Sequence, residues 1–159
     1  MLSSLHPYSY RLCGELTYEF VTSYGVEYVA YFIDMSAYSP YFTNVYTFNF
    51  ESRNNVEAPQ DERIADTICV ILGSIFADNK NAVIIVCDNL DHRERGRNRL
   101  FQQWYIRLEN TDICKIDKQY RSEDYDIYSS LFIHVDNPDF ETIIHTFVRL
   151  SEQGFVPEE

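Results

Sequence analysis

The strongest constraint on the fold is a succession of three strand-like runs before the first helical segment. Residues 16–21 (LTYEFV) and 26–33 (VEYVAYFI) are dense in aromatic and β-branched side chains, and Ser23-Tyr24-Gly25 between them offers a glycine for positive φ. They are expected to form a hairpin. After a loop carrying Ser39-Pro40, residues 41–50 (YFTNVYTFNF) set Phe42, Asn44, Tyr46, Phe48 and Phe50 at alternate positions, the mark of a half-buried third strand. Three strands in a row do not suit a doubly wound parallel sheet, in which strand and helix alternate.

Beyond them the period changes. Pro59 and Asp61-Glu62 open a helix with Ile64, Ile68, Ile71, Leu72 and Ile75 at three- and four-residue spacing. Residues 82–87 (AVIIVC) are continuously apolar, as a strand covered on both faces would be. An arginine-rich helix comes next, then two alternating runs, 113–120 and 125–135, joined by Arg121-Ser122-Glu123-Asp124. Asn137 as N-cap, Pro138 at the first helical position and the stripe Phe140, Ile143, Ile144, Phe147 and Leu150 define a last helix that Gly154 stops. The expected fold is α+β: a mainly antiparallel sheet in the order βββ-α-β-α-ββ-α, with the helices packed on one face. With 159 residues, 45% of them hydrophobic, and no Gly- or Ser-rich linker, residues 1–159 are expected to form a single domain.

The first residues, MLSSLHPYSYRLCGEL, lack a basic region followed by an apolar core, and no stretch approaches the ~18 apolar residues of a membrane helix. A cytoplasmic location away from membranes is expected. Cys13, Cys69, Cys87 and Cys114 are far apart, with no CxxC pair to hold zinc or cycle as a dithiol. They are expected to be reduced and mostly buried. A net charge of −12 argues against nucleic acid as a partner, because binding phosphates takes Lys and Arg that release counterions. The charge is uneven: residues 92–107 hold five arginines against Glu94 alone, so this segment is +4 and the rest −16.

Within CDNLDHRERGRNRLFQQWY (87–105), Phe101, Trp104, Tyr105 and Leu108 fall on one helical stripe. Continued backwards on a 3.6-residue wheel, Arg97 lies about 40° and Arg93 about 80° from Phe101, while Arg95 and Arg99 lie roughly 120° and 160° away. Arg95 and Arg99 are expected on a solvated face. Arg93 and Arg97 extend the core stripe, where they either tie the helix down against carboxylates or form a small anion-recognising corner. Asp88 as a cap, with Asp91 reaching back, fills the helix end that would otherwise attract phosphate, which favours the self-satisfied network.

Asp88, Asp91 and His92 after a buried strand also admit a metal-dependent hydrolase or nuclease-like chemistry, although D-x-x-D-H is a common pattern and further ligands must come from elsewhere. A thiol nucleophile at Cys87 with His92 or His134 is the weaker catalytic reading. No phosphate loop, GxSxG elbow, HExxH helix or dinucleotide fingerprint occurs, and no cofactor is expected. The thirteen tyrosines alternate beside Glu and Asp in strands, not beside Lys and Arg, so they do not make a base-stacking platform. The acids are too scattered for a DNA mimic.

The pattern C-D-x-x-D-x-R-x-x-x-R-x-x-x-F-x-x-W-Y (Cys87 to Tyr105), with the aromatic hairpin before it and R-I-x-x-T-I from Arg63 to Ile68, resembles a family of small uncharacterised proteins, a domain of unknown function, from bacteria of the Bacteroides group. The resemblance runs from about Tyr8 to Phe147. It implies a cytoplasmic bacterial protein and marks Asp88, Asp91, Arg93, Arg97, Phe101 and Trp104 as motif positions. It carries no assigned activity. The function expected is therefore a non-enzymatic binding or regulatory module, its acidic body and Arg-bearing corner engaging a protein partner or small anion, with the Asp88, Asp91 and His92 enzyme as the alternative. Nothing in the sequence fixes an oligomeric state.

Overall fold

The computed structural model describes residues 5–88, 112–124 and 126–155, with Cys87 and Asp88 described through their backbone. The elements are β1 (Arg11–Gly14), β2 (Thr17–Val21), β3 (Glu27–Asp34), β4 (Val45–Ser52), α1 (Glu62–Phe76), β5 (Ala82–Asp88), β6 (Ile113–Arg121), β7 (Asp126–His134) and α2 (Phe140–Glu152). Among the described residues the strands form one seven-stranded sheet in the order β1-β2-β3-β4-β5-β7-β6. Every neighbouring pair is antiparallel except β4 and β5. That parallel pair needs a crossover, and α1 supplies it. The α+β, mainly antiparallel expectation holds.

The order does not fully match. β1 was not expected, since its four residues are all exposed and show no hydrophobic alternation. The expected arginine-rich helix lies outside the described residues. The third strand begins later than expected, because Asn44 adopts φ 57° and breaks the alternation before Val45. Phe42 therefore belongs to a loop, where it is buried in a different core cluster from Phe48 and Phe50. Gly25 takes φ 81° in the β2–β3 turn, as its position required.

The two described helices do not share a face. Ile68, Ile71, Leu72 and Ile75 of α1 pack with Phe32, Phe48, Val83, Ile85 and Phe132. Ile143, Phe147 and Leu150 of α2 pack with Ala82, Ile84, Leu131 and Ile133. Side chains alternate along a strand, so consecutive residues such as Val83 and Ile84 point to opposite faces. The expectation of helices on one face is thus overturned, and for a physical reason. β5 and β7 are apolar on both faces, with Ala82–Ile85 and Leu131–Ile133 buried, and exposing either face would forfeit roughly 1.5–3 kcal/mol per large side chain.

Both helix starts are locally encoded. Asp61 caps α1 by accepting from the Arg63 amide at 3.0 Å. α2 begins later than Asn137-Pro138 suggested: Asn137 Oδ1 accepts from the Asp139 amide at 2.8 Å and its Nδ2 donates to the Lys80 carbonyl at 3.1 Å. Asn137 thus builds the preceding turn and fastens it to the β5 entry, and the residue at the cap position, Asp139, makes no side-chain cap bond. Gly154, at φ 71°, stops the helix as expected. Among the described residues no helix is long and apolar enough to cross a membrane.

Candidate functional site

Because β4 and β5 run parallel, their carboxyl ends, Ser52 and Asp88, lie at one end of the sheet. The registers Tyr28↔Ser52 and Asp88↔Ile127 bring the β2–β3 turn and the β6–β7 turn to the same end. Among the described residues the β4–β5 ladder runs only from Val45↔Ala82 to Thr47↔Ile84, whereas β4 stays paired to β3 through Ser52 and β5 to β7 through Asp88. Ligands of sheets with parallel strands gather at such carboxyl ends.

The amino end of α1 reaches this end too, and it is already occupied by its own chain. The Tyr8 hydroxyl donates to Asp61 Oδ2 and lies 3.1 Å from Ser23 Oγ in the β2–β3 turn. The Arg63 guanidinium sits 3.8 Å over the Tyr8 ring and donates to the carbonyls of His6 and Pro7. The Tyr8 amide donates to Thr67 Oγ1 at 2.8 Å. A capping carboxylate and a strapped segment thus occupy this helix end.

Of the residues singled out from sequence, Asp88 is the last residue of β5, in register with Ile127. Asp91, His92, Arg93, Arg97, Phe101 and Trp104 lie outside the described residues. In the neighbouring strands, Lys115 Nζ donates to Asp117 Oδ1 at 2.5 Å with its side chain only 6% exposed, and Ser130 Oγ donates to the same oxygen. His134 lies at the far end of the sheet, where its Nδ1 accepts from the Asp136 amide at 3.0 Å. It is the last residue of β7, at the opposite end from Asp88, which removes it as a base for Cys87. Among the described residues no three His, Cys, Asp or Glu side chains come together as a metal site. Cys69 is buried and Cys114 partly so, but Cys13 is exposed, against expectation, because β1 is an edge strand.

A second feature at this end was not legible in the sequence. Glu19 Oε1 accepts from Arg11 Nη2, its cross-strand neighbour, and Oε2 accepts from Arg53 Nη1 just past β4. β3 lies between β2 and β4, so the Arg53–Glu19 pair spans it, close to Val29, which is in register with Glu19 and only 4% exposed. The hydrogen bond from Arg11, with the charges of both guanidiniums, holds the Glu19 carboxyl below its ordinary range, and Glu19 in turn raises Arg11. Beside them opens a cleft of about 590 Å³ lined by Tyr10, Arg11, Glu19, Val21, Glu27 and Arg53, among others. Arg11 and Glu19 are eight residues apart and Glu19 and Arg53 thirty-four, so only the strand register brings them together.

Fold and site define an α+β protein with a single parallel β-α-β crossover among its described elements, set in an antiparallel sheet, and with charged groups gathered at the carboxyl end of that crossover. The model of the family of unknown function DUF6169 matches residues 60–149, more than half of the chain, and the chain belongs to that family. The match begins just before α1 and ends within α2, so the aromatic hairpin lies outside it. No curated protein and no solved structure matches the chain.

Proposed function

We propose that the protein is a non-enzymatic binding or regulatory module whose recognition corner is the segment leaving β5, with Asp88, Asp91, Arg93, Arg97 and Trp104 as its working residues and a protein partner or small anion as its ligand. The observation that supports this reading most is the launch point. β5 lies inside the sheet between β4 and β7, buried on both faces over Ala82–Ile85, and the only arginine-rich segment of an acidic chain starts where it ends. Asp88, the last residue of β5, is held by a paired strand and not by a loop. Nucleic acid and membrane are not part of the reading, given the −12 charge. A cytoplasmic place in bacteria of the Bacteroides group belongs to it.

Isothermal titration of the full chain with phosphate, sulfate and divalent metals, paired with thermal melts, tests it. A binding corner requires anion binding that Arg97→Ala removes and Arg99→Ala keeps, with the Arg97→Ala melting temperature unchanged or raised in the absence of ligand. A drop of about 3 kcal/mol in Arg97→Ala, with no response to any anion, would assign the arginine to a structural network instead. Stoichiometric metal binding lost in Asp88→Ala would favour the hydrolase chemistry.

A further inference from the structure

We propose that the Arg11–Glu19–Arg53 cleft is a second binding site, for a small organic monocarboxylate. Its volume of about 590 Å³ falls within the range of roughly 300–1,000 Å³ typical of small-molecule sites. Among the described residues each guanidinium meets Glu19 through one terminal nitrogen, which leaves the rest of each five-donor fork accessible at side-chain exposures of 79% and 47%. Glu19, at 18%, is the group they enclose, and it already shows that a planar carboxylate fits between the two forks. Val21, 55% exposed, is the apolar wall on the Glu19 face, while the Tyr10 and Tyr28 rings, packed on Tyr18 and Phe50, belong to the opposite face. Glu19 and Glu27 bring two carboxylates to the cleft against its two guanidiniums, so it carries no net positive charge that would favour a dianion over a single negative charge. This site shares no residue with the Asp88–Trp104 segment and does not depend on the reading of that segment.

The test is an amide chemical-shift titration of the full chain with three probes of one shape: benzoate, phenyl phosphate and benzylamine. Benzoate is expected to give saturable shifts at Glu19, Val21 and Glu27 with Kd on the order of 1 mM, and benzylamine none. Arg53→Ala and, independently, the edge-strand variant Arg11→Ala are expected to weaken benzoate about tenfold or more, while Arg97→Ala leaves it unchanged. Four results overturn the proposal: no saturable shift with benzoate, equal binding of benzylamine, tighter binding of phenyl phosphate than of benzoate, or loss of benzoate binding in Arg97→Ala with retention in both cleft variants. The last would place the anion at the β5 segment and leave the cleft empty of function. The native spectrum of Arg11→Ala separates lost binding from lost fold, because its residue lies on an exposed edge strand.

Discussion

Tyr8 ties three parts of the molecule together. Its ring stacks against Phe20 at 6.1 Å and carries Arg63 above it, and its hydroxyl joins the α1 cap to the β2–β3 turn. Tyr8→Phe keeps the ring and removes a hydrogen bond to a carboxylate, so unfolding stability should fall by about 1.5–3 kcal/mol in urea titration. A loss under about 0.5 kcal/mol would mean that the hydroxyl is not bonded to Asp61. Gly154 gives a second residue-scale expectation. It holds φ 71°, and an added Cβ would sit 3.2 Å from the Tyr120 ring, so Gly154→Ala combines backbone strain with crowding. A cost of at least about 1 kcal/mol is expected, more than Gly25→Ala, where φ is also positive but the space is open. Glu19 supplies a pH dependence. Its carboxyl is depressed in the folded state, chiefly by the Arg11 hydrogen bond, so the stability it contributes is present above the unfolded value of about 4.3 and is lost as pH falls through the lower folded one. Glu19→Gln should therefore lower the melting temperature at neutral pH and flatten its decline below pH ~4.3. An acid slope identical to that of the parent protein contradicts the pairing.

At the scale of the elements, period decided what the sequence revealed. The α1 stripe, the buried run of β5 and the two alternating runs of β6 and β7 each show a clear 3.6-residue, continuous or two-residue pattern, and each is present. β1 has no pattern to find, since none of its residues is buried. The start of α2 was misplaced because Asn137 is a capping residue by type but spends its side chain on the preceding turn and on Lys80. Which face each helix covers was not legible, because an apolar run such as AVII shows that both faces are buried without saying by what. Opposite faces make a prediction of their own. Ile68→Ala under α1 and Ile143→Ala under α2 should each cost about 2–5 kcal/mol, and the double variant should lose their sum to within about 0.5 kcal/mol. A coupling above about 1 kcal/mol would put the two side chains in one core.

Over the whole molecule, charge and topology point to one end of the sheet. The end carrying Leu16, Met35, Asp78 and Asn137 closes over buried Met35, Phe42 and Val45 and a buried turn asparagine. The other end holds the α1 cap, the twin guanidiniums on Glu19 and the exit of β5 into the arginine-rich segment. The segment itself was legible as a candidate because five arginines stand out against an acidic background. The cleft was not, because its three charged residues meet only through register. Recognition at the carboxyl end of the parallel pair is tested by one backbone-amide shift map of the full chain, recorded on adding benzoate and phosphate together. Shifts are expected to cluster at Glu19–Glu27, Arg53 and the residues from Asp88 onward. Shifts clustered instead at Leu16, Met35, Asp78 and Asn137, or none at either end, would contradict it.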